Sequence, residues 1–251
     1  MNSAATSLRV ATYNIHKGVQ GIGPARRLEI HNLGHAIEQI DADIVCLQEV
    51  RKMNRKAAAR FEHWPELPQA DFLAPEGYTA VYETNAVTRH GEHGNALLTR
   101  WPVLRKTHQD ISDHRFEQRG LLHVAIEVAG QPIHAIVVHL GLIRSSRVRQ
   151  IARLREFIER EIPADEPLIV AGDFNDWGGR MRYAMNAMDL HDSSDLRGAR
   201  TLTYPSRLPV TQLDFIYGRQ LEPVACAVPR GLVWARMSDH LPLVTDFLLS
   251  K

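Results

Sequence analysis

The stretch LIVAGDFND, residues 168–176, decides the fold. Its first four residues are apolar, with Ile169 and Val170 β-branched, and read as a short strand buried on both faces. A glycine breaks the run, Asp173 follows at once, and Asn175 comes two residues later. A carboxylate at the end of an apolar strand is costly to bury unless it is paired or holds a metal. Strand ends are also where α/β folds place their sites. The same design recurs outward along the chain. RVATYN ends in Asn14, DIVCLQE in Glu49 and HAIVVH in His139. Asp214 lies inside QLDFIY, and Asp239 and His240 open the last strand at SDHLPL. One polar strand end is ordinarily a structural hydrogen bond. Six stations of Asn, Glu, His and Asp are a site.

The apolar runs Leu8–Ile15, Ile44–Leu47, Tyr78–Val81, Ala96–Leu98, Leu121–Val128, Ile133–Leu140, Leu168–Ala171, Leu213–Tyr217 and Leu241–Leu249 read as strands. Two helices are expected. Arg26–Ile40 places Leu28, Leu33, Ile37 and Ile40 near one face. Ser146–Ile162 places Val148, Ile151, Leu154, Ile158 and Ile162 on another, with Ser145 or Ser146 as N-cap. Strands mixed with helices, and no Pro/Gly/Ser linker, give one α/β domain over residues 1–251. Arg51–Pro75 reads as a loop with room for one short helix, and Gly178–Leu208 as a second long loop.

Composition narrows the chemistry. Thirty basic and 29 acidic residues leave a net charge of +1, which argues against gripping a polyanion by bulk charge. Cys46 and Cys226 form no CxxC pair, so a disulfide framework or cysteine-rich zinc module is excluded and a reducing, cytoplasmic setting is expected. The N-terminus carries no apolar signal region, and the apolar stretch around Ile133–Ile143 is about half the ~20 residues of a membrane span. Oxygen ligands without thiolates suit Mg²⁺, with Mn²⁺ as the alternative. Histidines beside acids supply proton transfer. Metal, carboxylates and histidine together describe hydrolysis by an activated water at a phosphoryl group. P-loop, GxSxG and HExxH patterns are missing, and the 13 histidines lack the clustered spacing of zinc enzymes.

Taken in order, TYNIHKG (12–18), LQEV (47–50), GNALLTR (94–100), VVHLG (137–141), AGDFND (171–176), LDFIYG (213–218) and SDHLPL (238–243) resemble the endonuclease/exonuclease/phosphatase superfamily. DNase I, abasic-site endonucleases, neutral sphingomyelinases and inositol polyphosphate 5-phosphatases belong to it, and bacterial cytoplasmic members of unassigned substrate are the most similar in pattern. The resemblance implies a four-layer α/β sandwich, two packed mixed β-sheets flanked by helices. It implies Glu49 as main metal ligand, with Asn14 beside it and Asp239 on the metal side. Asp173 would orient or deprotonate the attacking water, and Asn175 would hold a phosphate oxygen. His240, buttressed by Asp214, would contact the scissile phosphate or move a proton. His139 would stabilise phosphoryl charge or the leaving group, and Arg119 would add a positive contact. Whether Asp173 or His240 is the base stays open at this point. His16 stands where some nucleases carry an acid, so their two-metal details do not transfer.

The expected function is hydrolysis of a phosphodiester, a lipid headgroup or small molecule being favoured over nucleic acid. The low aromatic content, 7%, argues against a stacking groove for single strands. A local patch of Arg144, Arg147, Arg180 and Arg182 would reverse that preference. Trp64 is the expected point of peripheral membrane contact, His90 and His93 are expected at the site mouth or in a solvated loop, and the protein is expected to be a monomer. The alternatives are a DNA or RNA nuclease of the same superfamily, and a non-catalytic binding protein that keeps the fold.

Overall fold

The computed structural model describes residues 6–197 and 201–249, so the stretch 198–200 of the second long loop lies outside the described residues. Two six-stranded sheets form the centre. The first runs β13 (Leu221–Ala227), β14 (Leu243–Leu249), β1 (Thr6–Asn14), β4 (Ile44–Val50), β6 (Gly91–Thr99), β5 (Thr79–Thr88). The second runs β11 (His191–Asp192), β12 (Asp214–Arg219), β10 (Leu168–Asp173), β9 (Gln131–His139), β8 (Gly120–Val128), β7 (Val103–Asp110). Both sheets are mixed. Each has a single parallel pair at its centre, β1 with β4 and β9 with β10, and antiparallel neighbours outside. A small ribbon, β2 (Val19–Gln20) and β3 (Arg27–Leu28), lies apart from them.

Period-two alternation builds the layers. Leu8, Val10, Ile44, Cys46 and Leu97 of the first sheet pack on Leu122, Val124, Val137, Ile169 and Ile216 of the second. Ala11, Tyr13, Val45 and Leu47 point the other way, onto α1 (Ile30–Ile40) and its neighbours. Ile136, Val138 and Val170 pack outward on Ile151, Leu154, Phe157 and Ile158 of α4 (Arg144–Glu161). The order is helix, sheet, sheet, helix, a four-layer α/β sandwich. Asn95 of β6 crosses between the sheets, its amide donating to the Gly120 carbonyl at 3.0 Å and the Val137 carbonyl at 3.2 Å.

Several sequence expectations are corrected. The first helix begins at Ile30 instead of Arg26, because Arg27 and Leu28 pair with Val19 and Gln20. The second begins at Arg144 with Ile143 as N-cap; Ser146 instead donates to Asp113 at 2.7 Å. Val148 is exposed, and Phe157 takes its place on the buried face. Arg51–Pro75 holds two short helices, α2 (Arg55–Arg60) and α3 (Gln69–Leu73), and the second loop holds α5 (Arg182–Asn186). A last short helix, α6, covers Trp234–Met237. Strands β7 and β13 were not expected. Both are sheet edges, where one face and one ladder suffice, so charged residues in β7 and Pro223 in β13 are tolerated.

Candidate active site

The four central parallel strands all end on the same side, and each carries a polar residue at or next to its last position. Asn14 closes β1, Glu49 lies one residue before the end of β4, His139 closes β9 and Asp173 closes β10. Asn14, His139 and Asp173 follow Val10, Val137 and Ala171 at even spacing, so alternation aims them into the gap between the sheets. Asp214, at the start of antiparallel β12, sits directly opposite Asp173, and His139 flanks Asp173 on the other side. Gly172 makes this close pairing possible. Its φ is +153°, and a Cβ there would meet the Val138 carbonyl at 1.9 Å.

Glu49 does not follow the alternation. The β4–β6 register slips between Leu47 and Val50, and Glu49 adopts φ +57°. This bulge turns its side chain toward the site instead of the helix layer. His16, Lys17 and Asn175 also take positive φ, at 45°, 61° and 50°. Left-handed backbone at a non-glycine costs about 1–3 kcal/mol each and clusters at functional sites.

Buried side chains then form a connected line. Asp214 Oδ2 lies 2.8 Å from His240 Nδ1, and His240 Nε2 lies 3.6 Å from Asp173 Oδ2. His139 Nε2 approaches the same Asp173 oxygen at 3.5 Å. The Asn14 amide donates to it at 3.1 Å, and the Asn175 backbone N–H donates to Asp173 Oδ1 at 2.9 Å. The Asn175 side chain donates to the Leu140 carbonyl at 2.9 Å, bracing the turn after β9. Ser238 fixes the last loop, donating to the Asn14 carbonyl at 2.6 Å and accepting from the His240 N–H at 3.3 Å. The Tyr204 ring covers His240 at a centroid distance of 4.9 Å.

Burial and neighbouring charge divide the protonation states. Burial pushes Asp173 up, Asp214 adds to it and His240 opposes, leaving the carboxyl at about 7. Burial alone would lower His240, but Asp214 and Asp173 outweigh it and hold the imidazolium up to about 10. Burial, reinforced by Arg119, holds His139 well below its ordinary value, so its ring is neutral. Burial works against the Glu49 carboxylate, yet the Lys17 ammonium holds it below the usual range and ionised. Burial likewise opposes Asp239, and the hydrogen bond from His16 prevails and lowers it.

Asn14, Glu49 and Asp239 carry the hard oxygen donors that would hold a divalent cation, the Asn14 amide lying 3.5 Å from Glu49. Glu49 Oε2 is buried without a well-aligned hydrogen bond, and the Lys17 ammonium 2.8 Å away is its ion-pair partner. His16 Nδ1 holds Asp239 at 2.8 Å. Asp173, Asp214 and His240 also bring one ligand-capable atom each within 4.8 Å of one another. There, however, both ring nitrogens of a protonated His240 face carboxylates, which describes proton handling better than ligation.

Arg119 lies beside this line, its Nε donating to the Leu140 carbonyl at 3.3 Å and its Nη2 facing Glu117 at 3.3 Å. His93 is half-buried, and burial together with Lys17 lowers it to about 4, whereas His90 is exposed. The arginine patch does not assemble as expected: Arg147 is buried on the Gly141 and Leu142 carbonyls, and Arg182 is paired with Asp192 and Asp195. Trp64 is half-buried between Phe61 and Arg51 rather than a free interfacial ring. Sequence reasoning missed Lys17, Ser238 and Asn95. Lys17 lies within TYNIHKG and Asn95 within GNALLTR, but neither breaks an apolar pattern in a way that marks it.

Residues 11–240 match the model of the Endonuclease/Exonuclease/phosphatase family. The chain belongs to that family. Members of the family hydrolyse phosphoester bonds. The chain is 36% identical over 248 residues to YbhP of Escherichia coli K12, covering 97% of each. It is 29% identical over 119 residues to sphingomyelinase C of Leptospira interrogans, covering 41% of this chain and 20% of that one. Among solved structures, a family protein of Bacteroides vulgatus superposes with a TM-score of 0.77 at 20% identity, over 98% of this chain and 100% of the other. A mannosyl-6-phosphatase of Bacteroides thetaiotaomicron gives 0.73 at 20% identity, over 96% and 99%. TDP2 of D. rerio, complexed with a single-strand DNA product, gives 0.69 at 16% identity, over 96% and 99%. These structural likenesses establish the fold.

Proposed function

We propose that the protein is a divalent-metal-dependent phosphodiesterase whose substrate is a lipid headgroup or a small phosphodiester. The observation that carries it is the buried Asp214–His240–Asp173 line joined through the Asn14 amide to the Glu49 carboxylate. Glu49 and Asp239, with Asn14, would hold a Mg²⁺ or Mn²⁺ ion, which when bound would supply charge neutralisation at the phosphoryl group. Asp173 takes a proton from the attacking water, since its carboxyl is poised near neutrality. Its two oxygens are oriented by Asn14 and Asn175 before substrate arrives. His240, protonated and locked by Asp214, donates from Nε2 to a non-bridging phosphate oxygen. Neutral His139 is placed to donate to the phosphoryl group or the departing oxygen. In this reading the attack is in line by water, with Asp173 as base instead of nucleophile, and no covalent enzyme intermediate forms.

Local charge supports the substrate class. Arg119, Arg147 and Arg182 are committed to carbonyls and carboxylates and do not form a groove for a nucleic-acid backbone. Leu142 and Ile143, just after β9, and Trp177, just after Asn175, are more than half exposed and offer apolar contact beside the site. No helix among the described residues is long and apolar enough to cross a membrane. The test is a panel of phosphodiesters and monoesters, lipid, small and nucleic, with Mg²⁺, Mn²⁺ or chelator. Preference for lipid or small diesters, with shallow salt dependence, is expected. Preferential cleavage of DNA or RNA with a steep salt slope overturns the substrate class.

A further inference from the structure

A second concentration of charge lies beside the catalytic mouth, and the reaction as proposed does not use it. A cavity of about 180 Å³ is lined by Arg26, Arg51, Lys56, Arg60, Phe61 and His90, with no acidic residue in its wall. Arg26, Lys56 and Arg60 are exposed and Arg51 is half-buried, and four cations gathered on one small cavity attract an anion to it.

The wall is built rather than accidental. Arg60 donates to the Gly23 carbonyl at 2.6 Å, fixing α2 against the loop before β3. The Arg55 N–H donates to the His90 carbonyl at 2.8 Å, and the Glu92 N–H to the Met53 carbonyl at 3.1 Å, tying the other side to β6. Arg51 is half-buried with its guanidinium over the Trp64 ring, 5.8 Å from the centroid. Stacking holds that group in one place and leaves its N–H donors for a planar or tetrahedral anion.

The cavity is also coupled to the site. Arg51 follows Glu49 by two residues on the same chain segment, about 7 Å if extended. Gln69 bridges the two places, accepting from the Arg51 N–H at 2.8 Å and donating to the Lys17 carbonyl at 2.9 Å. Val19, which lines the cavity, comes just after the loop that carries His16 and Lys17.

We infer that this cavity is a second phosphate subsite, so that the substrate carries two phosphate groups joined by a short linker, one cleaved and one held by Arg26, Arg51, Lys56 and Arg60. The inference rests on the phosphodiesterase reading above and sharpens its substrate class. It also explains how a near-neutral chain selects an anionic substrate, by local placement of charge instead of a basic surface.

Two measurements test it. In the first, turnover of the p-nitrophenyl ester of glycerol 1,3-bisphosphate is compared with that of the p-nitrophenyl ester of glycerol 1-phosphate, in wild type and in the double variant R26M/K56M. Both substituted side chains are exposed, so the fold is kept. The wild type should prefer the bisphosphate about 10- to 100-fold in kcat/KM, through KM. The double variant should lose that preference and keep its rate on the monophosphate ester. A ratio near one in the wild type, or a ratio unchanged in the variant, overturns the subsite. The second measurement needs no turnover and stands even if neither ester is cleaved. In the presence of chelator, inorganic phosphate should raise the melting temperature of the wild type and not of the double variant. No rise in the wild type, or an equal rise in both, overturns the subsite regardless of the enzyme's activity.

Discussion

Replacing Asp214 by asparagine keeps the shape of the site and removes one charge. Asp214 Oδ2 lies 2.8 Å from His240 Nδ1, and both side chains are buried. At an effective dielectric of about 20, a charge pair at that distance is worth about 6 kcal/mol. The imidazolium's rise from 6.5 to about 10 corresponds to about 5 kcal/mol at 1.36 kcal/mol per pH unit, with Asp214 as its largest favourable cause. The two figures agree in scale. Without Asp214 the remaining burial disfavours the cation, so the imidazole should titrate several pH units lower and be largely neutral at pH 8. The phosphate then loses its charged donor and the ring loses its fixed orientation, and kcat should fall about 10²- to 10⁴-fold with KM changed much less. NMR titration of the His240 ring in metal-free protein reads the first effect, and steady-state kinetics the second. Because the folded-state value is raised, His240 contributes stability that is complete below pH 6.5 and lost as pH rises through about 10; that slope should flatten in Asp214→Asn. A titration midpoint that stays near 10, or a rate loss under tenfold, refutes the role given to the pair.

Other outcomes follow from single contacts. Glu49→Ala should abolish the rise in melting temperature produced by Mg²⁺, because it removes the ionised carboxylate of the oxygen set. Lys17→Met should tighten Mg²⁺ binding about tenfold by calorimetry, since the ammonium 2.8 Å from Glu49 competes for that carboxylate. Asn95→Ala should cost about 2–4 kcal/mol in urea unfolding, because it strips donors from two buried carbonyls that link the sheets.

Much of the site is legible in the chain because period two and strand ends are local features. Asn14, His139 and Asp173 follow apolar residues at even spacing and Asp214 precedes Ile216 at the same spacing, which puts them on inner faces at one end. Glu49 is different. Alternation would send it outward beside Val45 and Leu47, and only the bulge with φ +57° brings it in. Such a bulge depends on cross-strand pairing with β6, which is a long-range property. The edge strands β7 and β13 were hidden for a related reason: an edge needs no buried second face, so its sequence carries little pattern. Arg147 belongs by sequence to the expected basic patch, yet it is buried on carbonyls whose position depends on the turn after β9. The basic cavity is built from residues 26, 51, 56, 60 and 90, far apart in sequence, and no window of the chain displays it.

The central claim is that Asp173 activates water at a metal-dependent phosphodiester site. Hydrolysis of bis(p-nitrophenyl) phosphate by the wild type and by Asp173→Asn, each with Mg²⁺, Mn²⁺ or chelator, tests it most directly. The wild type should turn over only with metal, with a rate that rises as Asp173 loses its proton, and Asp173→Asn should be inactive while still folded. Turnover that persists in chelator, or in Asp173→Asn, would contradict the mechanism.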